Sequence, residues 1–547
     1  MSCISRLKQS RRQWKEKAIT RGNSERYQRK EILRIKKERD HYKKEARQAK
    51  NQLDKERQNT SSALVQHKQD LVFIALQLFV VARIGFRAVA RVLGVLGRHL
   101  GWGKAPCAQT IIDWVTRLSM TKIQNASQWV GPRIARDPCC NGFVWMIDTS
   151  IGLGSGKILV VLALDAHHHG VNEGAPTLGQ VKCIAVAVAR SWTGEAIADF
   201  LQKVIASAAR PLAYLKDGGT DLAKATRVLS ERGYSSACLD DLSHTIANLL
   251  KHEYQDHPLF PLFISACGQA SKKLKQTVLA CLAPPKVSTK ARFMNLHRLV
   301  KWADSLLKHC PQGRASAGSP LAKLRTSLDR IPQCKGFIRR FLRDATSLLA
   351  CQKILKKSGL SHTSYQQCQA FLEPIPLRCA VRIGFTTWAE QHLKIAASLG
   401  LDKIGLPISS DAIESLFGVA KQHGTGEIKD ANRIALRIPA MCGELTREQV
   451  QGVLSIRVKD QQQIVNSLPS LTQQRRQILS NPGSLDTLES EERKGNLMLI
   501  PGTKNRSKNS ISSSITRACE KTMAPSNALG KQLNSPLDVA LVKAATG

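Results

Sequence analysis

The chain has 547 residues, 82 Lys+Arg against 42 Asp+Glu, and a formal net charge of +40. Its length exceeds one ordinary domain of roughly 100–200 residues, and its 42% hydrophobic content excludes wholesale disorder. Such an excess of positive charge calls for a polyanionic partner, nucleic acid ahead of an anionic membrane surface, while fifteen cysteines without a single CxxC pair suggest neither a disulfide framework nor a zinc finger.

Residues 1–60 carry 20 Lys+Arg and 8 Asp+Glu, with no Pro and one Gly. This reads as a long basic helical arm and a candidate coiled coil, although Trp14, Ile32, Ile35, Tyr42 and Leu53 do not sustain a heptad. The basic, polar opening does not resemble a signal peptide, and the cysteine usage suits a reducing cytoplasm. The longest apolar run, Leu71 to Ala82, is interrupted by Gln77 and is too short to span a bilayer, so it reads as a buried helix and no membrane partner is expected.

Residues 61–135 carry helical periodicity. Phe86, Val89, Ala90 and Leu93 form one face, and Ile111, Trp114, Val115 and Leu118 another after a loop with Gly101, Gly103 and Pro106. Two short amphipathic helices fit a helix-turn-helix DNA-binding region, with Gln109, Thr110, Thr116 and Arg117 as candidate contacts. A plain structural helix pair has the same pattern.

From residue 136 to 250 strands appear. Phe143–Ile147 runs into Asp148, Lys157–Leu164 into Asp165, Val181–Ala189 forms a third, Pro211–Leu215 leads to Asp217, and Ala237–Leu239 is a fifth. Helices from about Thr193 and from Leu222 separate the later strands, a mixed α/β order. Residues 251–400 look wholly helical, with 24 Lys+Arg against 7 Asp+Glu. Residues 401–470 return to the core with a helix near Ser409-Ser410-Asp411, and 471–547 reads as a disordered tail.

The acids at strand ends carry the chemistry. Two-metal phosphoryl transfer needs clustered carboxylates, because hard divalent cations must be held roughly 3.5–4 Å apart about the scissile phosphate. If the first and fourth strands are neighbours, Asp148 and Asp217 emerge side by side, and Asp411-Ala412-Ile413-Glu414 supplies a third acid from a late helix. Alternatively, Asp411 caps that helix and Glu414 closes a capping box. Asp165 and Asp221 are competing acids, the former beside His167-His168-His169.

This arrangement resembles the DDE transposases of insertion sequences over about residues 80–445. The resemblance implies an RNase H-like mixed-sheet core interrupted by an all-α insertion and preceded by the helix-turn-helix region. It implies catalytic and metal-binding roles for Asp148, Asp217 and Glu414 with Mg²⁺ or Mn²⁺. Cys238 to Asn248 is similar to an Asp-x-x-His motif found after the second acid in several such superfamilies, with Asp241 as accessory and His244 as catalytic member. Lys421, seven residues after Glu414, is similar to a DNA-backbone contact of one large subgroup; the Tyr and Arg of that signature are replaced by Pro407 and Ser410.

The function implied is binding of transposon ends, metal-dependent strand cleavage and transfer into target DNA, by a homodimer or higher oligomer. Trp302 and Trp388 are candidates to stack on an extruded base, against a core role. The rivals are a non-catalytic DNA-binding regulator and an RNase H-like nuclease or resolvase without strand transfer. A serine or tyrosine recombinase lacks support, since no Tyr stands with an Arg/His cluster.

Overall fold

The computed structural model describes residues 3–59, 68–100, 104–128, 141–150, 152–154, 156–172, 174–287, 292–422, 430–480 and 496–499. Two compact units divide the chain, one of Met1–Leu71 with Ala90–Pro106, the other of Val72–Val89 with Cys107–Gly547. The region read as one helix-turn-helix domain, 61–135, is thus shared between the two.

The first unit is dominated by a 57-residue helix, Cys3–Asn59, about 85 Å long at 1.5 Å per residue. Strong helix formers and local pairs such as Arg34 with Glu31, 2.6 Å apart, hold it, and Trp14, Ile32, Ile35 and Tyr42 are exposed.

The second unit is mixed α/β and mostly helical. Its sheet comprises β1 (Phe143–Thr149), β2 (Lys157–Asp165), β3 (Lys182–Ala189), β4 (Ala213–Lys216), β5 (Ala237–Asp240) and β6 (Asn496–Leu499), in the order β5-β4-β1-β2-β3-β6. β1, β2 and β3 form an antiparallel meander. Past β3 the chain runs through the helix Gly194–Ala208 and returns on the other side of β1, so β4 pairs parallel with β1 and β5 parallel with β4. Both faces of the central strands are covered, which is why β1 and β2 read as continuous apolar runs and not as alternating ones. Trp145, Tyr214, Phe200, Leu201 and Leu229 fill one side. Gly156 is required where the β2 entry passes β3, since a Cβ there would lie 2.7 Å from the Ala189 carbonyl oxygen.

Residues 251–400 form a helical body whose longest member is Lys335–Ser358. Phe260, Phe263, Phe293, Phe337 and Phe341 pack at its centre beside Tyr254. Tyr254 donates to the buried carboxylate of Asp344 at 2.5 Å. Trp302 donates to the Leu282 carbonyl at 3.0 Å, and Trp388 is buried against His392, so both serve packing. Gly359 and Gly405, both at positive φ, let the chain leaving the long helix lie against the loop before Glu414, where Leu360 and Leu406 exchange backbone hydrogen bonds.

The structure corrects one sequence reading and adds to another. The tail read as disordered from 471 contains a helix, Leu471–Ser480, and β6, which pairs with β3; residues 481–495 and 500–547 lie outside those described. The helix Ala108–Gln124 is a core element over most of its length. Every residue from Trp114 to Ile123 except Arg117 is buried, against the helix Arg447–Ser455 and the turn at Pro439–Met441. Its anchor is Lys122, whose ammonium donates to the carbonyls of Cys442 (2.5 Å), Gly443 (3.1 Å) and Ala440 (3.4 Å). Among the described residues no helix is long and apolar enough to cross a membrane.

Candidate active site

Asp148 is the penultimate residue of β1. The parallel register sets Ile147 opposite Lys216 of β4, so the next step brings Asp148 level with Asp217. The two carboxylates therefore share one edge of the sheet. Each is fixed locally: Asp148 Oδ1 accepts from the Thr149 N–H at 2.6 Å, and Asp217 Oδ1 from the Gly219 N–H at 3.0 Å. A side chain at position 219 would strike the Asp217 carboxylate, its Cβ 2.8 Å from Oδ1. Burial first, and then the charge of Asp217, push the Asp148 carboxyl up to about 7.

β5 ends at Asp240, and Asp241 then caps the helix Leu242–Tyr254, accepting from the His244 N–H at 2.8 Å. The same oxygen is 3.0 Å from His244 Nδ1, and Glu414 Oε1 lies 4.0 Å from that ring nitrogen. The hydrogen bond to Asp241 raises the imidazole to about 9 against the opposing effect of burial, and the charges of Asp241, Glu414 and Asp217 add to it. His244 is therefore an imidazolium at neutral pH. Burial acts to raise Asp241, but the bonds from the His244 ring, Ser410 and the His244 backbone prevail and hold it below the ordinary carboxylate range.

Glu414 stands in the first turn of the helix Asp411–Gln422. Burial lifts its carboxyl above the ordinary range, the imidazolium of His244 opposing. The capping-box alternative is not what forms: Asp411 is already helical, and its carboxylate binds Lys356 Nζ at 2.6 Å and lies 3.5 Å from Ser243 Oγ. Gln352 donates to that same Ser243 hydroxyl at 2.9 Å. Asp411 and Glu414 also line a cavity of about 300 Å³ with Ser243, Phe293, Gln352 and Lys356. Lys421 occupies the last turn of the same helix, its ammonium 5.9 Å from the centroid of the Phe417 ring.

The geometry gathers Asp148, Asp217, His244, Asp241 and Glu414, which interact electrostatically as one group. Asp165 is excluded from it, since it pairs with Phe143 at the opposite end of β1, and the neighbouring histidines stay with it there. Asp221 lies in the first turn of the helix Thr220–Glu231.

The candidate DNA contacts on Ala108–Gln124 fare unevenly. Gln109 is exposed and bonds Asp113 at 3.0 Å, and Thr110 is 3.3 Å from Cys107 Sγ. Thr116 is corrected: it is buried and donates to the Ile112 carbonyl, out of reach of any groove. Arg117 donates to Gln461 at 2.6 Å, a bond within the protein. Ser410, Lys356, Gln352 and Ser243 are site residues without a sequence signal of their own, because what places them is a set of bonds between segments far apart in the chain.

Asp148, Asp217 and Glu414 offer carboxylate oxygens, the hard ligands that suit Mg²⁺ or Mn²⁺. Among the described residues no three His, Cys, Asp or Glu side chains converge as a ready-made metal cage. What fits a cation is the carboxylate pair Asp148 and Asp217, whose mutual repulsion it would relieve, with the charge of Glu414 also felt at Asp148.

No family model matches the sequence, and no curated protein matches it. Among solved structures the chain is similar to the Drosophila P element transposase strand transfer complex, at 11% identity and a TM-score of 0.38, over 72% of this chain and 97% of that one.

Proposed function

We propose that this chain is a DNA transposase of the DDE type, which binds the ends of a mobile element, cuts a strand there and joins it to target DNA. The observation that carries the reading is the placement of Asp148 and Asp217 at one register step of adjacent parallel strands, with Glu414 and the imidazolium of His244 beside them. An RNase H-like core with its helical insertion between Asp217 and Glu414 accounts for that placement, and a net charge of +40 accounts for the substrate.

In this reading Asp148, Asp217 and Glu414 are the residues that would hold a divalent cation. A divalent cation held there supplies charge neutralisation at the scissile phosphate and acidity to a bound water or hydroxyl. His244, fixed by Asp241 and charged at neutral pH, donates to a non-bridging phosphate oxygen and orients it for in-line attack. Its imidazolium also lowers the cost of keeping Glu414 ionised. Lys421 and the basic helices of 251–400 grip phosphates on either side.

The test is nicking of DNA bearing the element's ends in Mg²⁺ or Mn²⁺, followed by transfer into a target plasmid. Loss of nicking in Asp148→Asn and Asp217→Asn, with DNA binding retained, supports the reading; undiminished nicking in both overturns it. Cleavage without transfer assigns a nuclease, and binding without cleavage a regulator.

A further inference from the structure

Asp241 is hydrogen-bonded to the segments that carry Asp217, His244 and Glu414. Its backbone N–H donates to the carbonyl of Lys216, the residue before Asp217, at 2.9 Å. Oδ1 takes the N–H and ring Nδ1 of His244. Oδ2 takes the N–H (2.7 Å) and hydroxyl (2.9 Å) of Ser410, at the entrance to the Glu414 helix. Next to it the Leu242 N–H donates to the Ile408 carbonyl at 3.0 Å, a second link to the same loop. Asp241 is only 1% exposed, so its carboxylate depends on these bonds in place of water.

We infer that Asp241 is the positioning residue that sets Glu414 and His244 in register with Asp217 after the chain has detoured through the helical insertion. The argument is geometric. Glu414 and Asp217 are about 200 residues apart in sequence, and the helix carrying Glu414 must dock to a fraction of an ångström for a carboxylate to serve a phosphoryl-transfer site. A carboxylate accepts at two oxygens, so Asp241 can fix the first turns of two helices at once. It donates nothing from its side chain, and all four of its side-chain bonds need an acceptor. Asn in its place has one acceptor oxygen, and its amide turns donor toward donor on whichever side it faces. Asp241 touches no substrate; its role runs through Glu414 and His244, and the catalytic part of the inference rests on the transposase reading.

The test compares full-length wild type with Asp241→Asn and Ser410→Ala in two readouts. The first is hydrogen exchange of metal-free protein. Both variants lose protection in peptides covering 409–416, Asp241→Asn also in 242–246, while β1 to β3 exchange as in wild type. The second is single-turnover DNA nicking in Mn²⁺, where Asp241→Asn loses about a hundredfold in rate with DNA affinity unchanged, Ser410→Ala loses less, and the double variant is no worse than Asp241→Asn. Unchanged exchange at 409–416 in both variants, or altered exchange with wild-type cutting rates, overturns the inference. Should Asp241→Asn unfold, Ser410→Ala alone decides on the same criteria. A wild type that never cuts, with protection at 409–416 still lost in the variants, leaves the clamp standing and removes the transposase reading instead.

Discussion

Asp217 stands one strand away from Asp148 at the same register step, and its charge adds to burial in holding the Asp148 carboxyl at about 7. The metal-free protein thus keeps two acids together that repel each other. A structure stable for its own sake would not, and the same pair is what a divalent cation needs.

The first prediction separates stability from activity. Asp148→Asn keeps an acceptor for the Thr149 N–H and removes the repulsion with Asp217. At pH 8, without divalent ions, the variant melts higher than wild type by a few degrees, the scale on which about 1 kcal/mol moves a large domain. Nicking falls to background. Calorimetry and a plasmid-nicking assay on one preparation read both.

Divalent-ion affinity follows the same carboxyl. The folded-state value of Asp148 lies above the ordinary 3.8, so between pH 4 and 7 the folded chain holds a proton that the unfolded chain releases. Metal-free stability accordingly falls as pH rises through that window. Mn²⁺ affinity rises about tenfold per pH unit up to about 7 and then levels, with proton release on binding below it. Titration calorimetry at pH 5.5, 6.5 and 7.5 measures both.

His244 gives the opposite partner of this behaviour. Its folded value is raised from 6.5 to about 9, so the stability it contributes is fully present below pH 6.5 and is lost as pH rises through 9. The pair is partly exposed, and solvent tempers the effect. Wild type is expected to lose roughly 2–4 °C of melting temperature across that interval from this group, a slope that His244→Gln abolishes.

Lys122 supports the fold from outside the site. Replacing it by Met leaves the carbonyls of Ala440, Cys442 and Gly443 without their common donor. The expected cost is about 3 kcal/mol. Chemical denaturation reads it, with the helix Ala108–Gln124 losing exchange protection first.

Deleting residues 1–60 removes 20 Lys+Arg. If that helix lies along DNA, the dependence of log affinity on log salt becomes shallower, by about 0.9 for each phosphate the arm neutralises. Binding assays between 50 and 300 mM salt measure the slope.

The sheet was legible because β-branched and leucine-rich runs such as Ile158–Leu164 have no other use in a chain this polar, and because each ended in an acid or a turn. The site was half legible. Asp148, Asp217 and Glu414 each follow or open an element with a recognisable local pattern, and Asp241 shows through its spacing to His244, whereas the bond between Ser410 and Asp241 spans 169 positions and leaves no local mark. The burial of the polar residues of the helix Ala108–Gln124 was not legible for a related reason. Amphipathic spacing shows only that one face is apolar, and here Thr116, Ser119, Thr121 and Lys122 are buried with their polar groups satisfied on the other faces. β6 was missed because Leu497-Met498-Leu499 is too short an apolar run to rise above its polar surroundings.

The helical insertion also has a consequence in time. About 200 residues lie between Asp217 and Glu414, so at roughly 5–20 residues per second a ribosome needs about 10–40 s to pass from one to the other. Through that interval the nascent chain already owns its basic arm and the carboxylate pair but lacks the third acid. A chain ended before Ser410 would lack Glu414 and, with it, the turn Pro439–Met441 and the helix Arg447–Ser455 against which Ala108–Gln124 packs.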